Sequence, residues 1–159
     1  MTRTVVIVIF SVLFSAGASG QEFPWDIFQA RTLDEIIAAT APGVRPGESG
    51  FFATDEMPSK VRVTFTGQSR PIVESRHSFI DDWFGLYNRN KDIAALYQRE
   101  YLYKEGSREY WLPTSSPITK YFAKELKAGD EVTLYLIRLG AYRQNESIDC
   151  VLLVEEYQK

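Results

Sequence analysis

The sequence has one cysteine and one histidine in 159 residues, and each scarcity removes a class of chemistry. A single thiol, Cys150, closes no internal disulfide, so an exported form of the chain must be held by core packing. Cys150 lies in the apolar run CVLLV, where a thiol behaves as a small hydrophobe. With only His77 and Cys150 to draw on, a zinc site would need carboxylates for most of its ligands, and no cofactor is expected. The glycine-rich phosphate loop and the nucleophile-elbow pattern are both missing.

Blocks of positive charge are missing too. The 18 Lys and Arg are scattered among 21 Asp and Glu, for a formal charge of −3. A chain that tracks phosphates draws its binding free energy from a dense basic patch, so nucleic acid is not an expected partner. Long apolar runs are likewise absent: Val5 to Phe14 falls well short of the ~20 residues a bilayer-spanning helix needs. That run follows Arg3 and precedes Ala16-Gly17-Ala18, which is the arrangement of a secretory signal peptide. Residues 1–20 are therefore expected to be removed, with the mature chain starting at Ser19 or Gln21, secreted or periplasmic and without a stable membrane anchor.

What is present is apolar and aromatic: 45% hydrophobic and 14% aromatic residues suffice for one buried core. Thr32 and Glu35 have capping-box spacing, which predicts a short helix from Leu33 to about Ala41. The stretch PGVRPGESGFFATDEMPSK follows, with three prolines and three glycines, and reads as a long loop. Residues 21–59 thus form an N-terminal helix and loop, and residues 60–159 a β-rich core domain.

Within that core, VRVTFT alternates as a half-buried strand and Gly67 is expected to end it. A second extended stretch is expected from Pro71 to about Arg76. The period then changes: Phe79, Ile80, Trp83, Phe84 and Tyr87 share a helix face, with Ser78 as N-cap and Asp81 and Asp82 in the first turn. Those two acids stand close to His77, a combination that invites acid/base chemistry. Capping and helix-dipole effects account for both of them without it.

The stretch LYKEGSREYWLPTSSPITKYF predicts a hairpin, a sharp turn and a capped helix. A type II′ turn at Gly106-Ser107 pairs Glu105 with Arg108 and Lys104 with Glu109, both opposite in charge. Tyr101, Tyr103, Tyr110 and Leu112 then form the core face, while Leu102, Trp111, Lys104 and Glu109 form a mixed one. Ser116 reads as an N-cap before Pro117, and Gly129 as the end of that helix. Two strands, EVTLYLIRL and DCVLLVEEY, are apolar on both faces as central strands are, and GAYRQNES joins them as a loop.

The order implies an α+β fold: a small antiparallel β-barrel or sheet of about five to six strands, a short N-terminal helix, and a helix inserted before the last two strands. That order resembles the OB-fold, and a resemblance of fold carries no function. The reading that follows is an exported, non-catalytic binding or adaptor domain for a protein or small ligand, with Trp111, Trp83 and Lys104 as the ligand-binding candidates. Two alternatives stand beside it: an assembly subunit pairing through an aromatic patch, and an enzyme using His77 with nearby carboxylates.

Overall fold

The computed structural model describes residues 22–88 and 91–159. The expected signal peptide therefore lies outside the described residues. Among those described, the fold is α+β with seven strands and four helices. In chain order these are β1 (Gln29–Ala30), α1 (Leu33–Thr40), β2 (Gly50–Phe52), β3 (Ser59–Pro71), α2 (Glu74–Trp83), α3 (Lys91–Ala94), β4 (Arg99–Glu105), β5 (Arg108–Thr114), α4 (Ser116–Glu125), β6 (Glu131–Gln144) and β7 (Ser147–Gln158). No helix among the described residues is long and apolar enough to cross a membrane.

Five strands form a closed ring of hydrogen-bonded neighbours, β3-β4-β5-β7-β6 and back to β3. β1 and β2 add to it at β3 and β6. The sheet is mixed, not antiparallel as expected, because β1 runs parallel to β3 and β5 meets β7 in a parallel pair at Thr114 and Val154. The count of seven exceeds the expected five or six for a local reason. The stretch read as a loop contains β2, whose Gly50 to Phe52 pair with Tyr142 to Gly140. Gly140 makes that approach feasible: its φ is +141, and a Cβ there would overlap the Phe51 carbonyl oxygen.

Alternation along β6 and β7 feeds two cores, which is why both strands read as apolar on both faces. Leu134, Leu136, Leu152 and Val154 join Val61, Val63 and Phe65 in one cluster, closed by Leu33 and Ile36 of α1 and by Phe122 of α4. Tyr135, Ile137, Leu139, Val151 and Leu153 face the other way, against Phe79, Ile80 and Trp83 of α2. Burying such residues contributes ~1.5–3 kcal/mol each, and this chain does so without a disulfide.

The hairpin forms in the expected register, with Glu105 opposite Arg108, Lys104 opposite Glu109 and Leu102 opposite Trp111. Gly106 has φ +60, as the turn requires. Its charges also serve α1. The Glu105 carboxylate accepts from the Leu33 backbone N–H at 3.0 Å, Arg108 bonds Asp34 at 2.6 Å, and the Tyr110 hydroxyl donates to Asp34 at 2.7 Å. Thr32 and Glu35 complete the capping box.

Four boundaries differ from expectation. β3 runs through Gly67, which has φ +79 and lies where the β3–β4 register shifts between Phe65 and Ser69, so the glycine marks a bulge instead of an end. The extended stretch after Pro71 is short, because α2 begins at Glu74 with Val73 as its N-cap. Ser78 is thus inside the helix, and Asp81 and Asp82 fall in its last turns, where the dipole does not favour them. α4 is capped by Ser115, not Ser116. The β6–β7 loop shrinks to Asn145-Glu146, since Gln144 pairs with Ser147 and Asn145 takes φ +55.

Candidate functional site

The residues singled out from sequence do not converge. Trp83 is 4% exposed and its indole N–H donates to the Ala53 carbonyl at 3.2 Å, so it belongs to the core. Trp111 and Lys104 share one face of the hairpin, as expected. The Trp111 ring is only part-exposed, however, and the Arg70 guanidinium lies 4.1 Å from its centroid. Lys104 is occupied at 3.2 Å by Glu109. His77 lies inside α2, not in a loop beside a cap, with its Nδ1 3.2 Å from Asp81 Oδ2 across one helical turn. Cys150 is half-buried, and burial next to Asp149 pushes its thiol up to about 11, well away from reactivity.

Beneath Trp111 the hairpin is tied to α2 by charge. Glu100 is fully buried and accepts from both Arg70, at 2.5 Å, and Arg76. Arg76 also grips Asp149 at 2.9 Å and donates to the Trp111 carbonyl at 3.2 Å. Every charge in this set has a partner of opposite sign. It is a structural clamp joining α2 to β4, β5 and β7.

A different place combines space with an unsatisfied group. A cavity of about 410 Å³ lies between α3, α4 and the end of β7. Leu96, Ile93 and Ile118 supply apolar wall, and Tyr97, Ser115 and Glu155 supply polar groups. The local chain explains why these three meet. Ser115 N–H donates to the Val154 carbonyl at 3.1 Å, and Ser116 N–H to the Leu96 carbonyl at 2.9 Å. These bonds lock the start of α4 to β7 and to the turn that carries Tyr97. Ser115 makes no cap bond with its side chain, and it lines the cavity together with Tyr97.

Glu155 owes its orientation to a bulge. Leu136 pairs with Val154 and the adjacent Tyr135 with Glu156, which leaves Glu155 as an extra residue in β7. Such bulges re-aim side chains, and here Glu155 and Glu156 both line the cavity. Glu155 Oε2 is buried and has no hydrogen-bond partner. Burial first, and the nearby Glu56 charge second, push the Glu155 carboxyl up to about 8. Glu56 is itself pushed up to about 7 by burial and by Asp55. Tyr97, fully enclosed and close to both acids, titrates well above the usual tyrosine range.

At neutral pH this arrangement holds a protonated carboxyl at the cavity wall, able to donate a hydrogen bond or to lose its proton to solvent when a cation binds beside it. A buried polar group without a partner costs ~1–3 kcal/mol, a cost natural cores seldom leave standing. No family model, curated protein or solved structure matches the chain. The cavity was not read from sequence, although one signal was there. Val151, Leu153 and Glu155 alternate in DCVLLVEEY, which places an acid in an otherwise apolar row.

Proposed function

We propose that the chain is an exported, non-catalytic binding domain, and that its ligand is a small molecule with an apolar body held in the cavity beside the β7 bulge. One observation carries the reading: Glu155 Oε2 is buried and unpartnered in a cavity large enough for a small ligand. Ligand sites of this kind are mostly apolar, with a few polar groups that fix orientation, and Leu96, Ile118, Ser115 and Glu155 match that division of labour. The scaffold reading is an OB-like barrel. Support for it comes from the strand order β3-β4-β5-β7-β6, the closing pairs between β3 and β6, and α4 inserted before the last two strands.

Chemical-shift mapping with a library of small neutral, cationic and anionic fragments tests the binding site. The proposal requires that hits perturb the amides of Leu96, Tyr97, Ile118 and Glu155. Hits confined to Trp111 and Lys104 would transfer the site to the hairpin face, and no hits at the cavity would refute it. Export is tested separately by the intact mass of protein from its native host, where a start at Ser19 or Gln21 is expected and retention of Met1 would refute it.

A further inference from the structure

We infer that the cavity takes a protonated amine, with the ammonium N–H donating to Glu155 Oε2 and the apolar part lying against Leu96 and Ile118. This rests on the cavity being a ligand site, and it names the class of ligand. The starting point is geometric: a carboxyl oxygen that borders the cavity is buried with no protein donor in reach.

The charged groups around the cavity favour a cation over an anion. Glu155 and Glu156 of β7 and Glu125 of α4 line it, and Glu56, from the connection between β2 and β3, acts on Glu155 through its charge. Neither lysine of the lining reaches Glu155 Oε2. Lys159 Nζ sits 2.7 Å from Asp130 and 3.2 Å from the Glu125 carbonyl, while Lys120 Nζ lies 5.0 Å over the Tyr121 ring. The Tyr157 hydroxyl donates a hydrogen bond to the Glu125 carboxylate at 2.5 Å. None of these supplies Glu155 Oε2 with a donor.

Proton balance then follows. The free cavity holds Glu155 protonated at neutral pH, and a protonated amine needs it ionised, so the carboxyl proton leaves to solvent as the ammonium binds. An alcohol of the same length displaces no proton. A quaternary ammonium carries the charge and has no N–H to give.

Isothermal titration of the full chain with hexylammonium, hexanol and hexyltrimethylammonium, in two buffers of different ionisation enthalpy, tests this. The inference expects hexylammonium to bind about tenfold or more tightly than either of the others, a step of one hydrogen-bonded charge pair, with release of most of one proton. Glu155→Gln should abolish that preference and the proton release while still binding hexanol. Hexanol binding as well as hexylammonium, or a preference that survives Glu155→Gln, would overturn the amine assignment and leave the cavity as a ligand site. If none of the three binds and none shifts the amides of Leu96, Tyr97 or Ile118, both readings fall.

Discussion

Replacing Glu155 by Gln should stabilise the protein in alkaline solution. The amide keeps the shape of the side chain and cannot ionise. In the natural chain the folded carboxyl is raised from the ordinary 4.5 to about 8, so between those values the folded state holds a proton that the unfolded state has released. Stability must therefore fall as pH rises from about 4.5, and the loss levels off above about 8. A tenfold change in proton affinity is worth about 1.4 kcal/mol, so the full displacement would be worth about 5 kcal/mol. The cavity is open to water on one side, which relieves part of the penalty, and about 2–4 kcal/mol is expected at pH 9. Near pH 4 the two proteins should differ by less than about 1 kcal/mol, because both side chains are then neutral. Urea unfolding followed by tryptophan fluorescence at the two pH values gives both differences, and titrations common to the two proteins cancel. A gap between variant and natural chain that stays constant with pH would refute the buried, proton-holding carboxyl.

Three further perturbations probe the frame around the site. Gly106→Val should cost about 1–2 kcal/mol in a denaturation series and Ser107→Ala almost nothing, because only the first turn position needs φ +60 and the space around it is open. Arg76→Ala should cost about 3–5 kcal/mol by the same measurement, since it strips the fully buried Glu100 and the half-buried Asp149 of their shared cation; a loss below about 1 kcal/mol would mean the clamp is not dry. Trp111→Ala should cost less than the ~3–5 kcal/mol of a fully buried aromatic, because its ring is part-exposed under Arg70, and ligand binding in the cavity should be unaffected.

Much of the frame was legible because its signals are local. Thr32 and Glu35 announce the first helix, the alternation of Val61, Val63 and Phe65 a strand, and the opposed charges about Gly106 a hairpin with its register. The double-sided apolar pattern of β6 and β7 marked them as central strands, although one core was expected and two are found. What stayed hidden depends on distant partners. Ser78 stands where a helix cap would suit Phe79 and Ile80, yet α2 starts five residues earlier, a start that puts Arg76 on the helix where it meets Glu100 and Asp149. β2 is a strand only because β6 offers an edge and Gly140 leaves room for it. The candidate site is the least legible part. Glu155 reads as one acid in a strand, and its burial follows from a bulge set by pairing with Tyr135 and Leu136 and from walls supplied by α3 and α4. The aromatic residues that looked most like a binding surface went to the core or under an arginine.

The central claim is that Glu155 holds a proton in the cavity beside the β7 bulge and releases it to solvent when an ammonium binds. The most direct measurement is a carboxyl-carbon NMR titration of the full chain, with Glu155→Gln used to assign the resonance. The account predicts a Glu155 midpoint near 8 in the free protein that falls well below neutrality when hexylammonium is present. A midpoint close to the ordinary 4.5 in the free protein, or one that hexylammonium leaves unmoved, would contradict it.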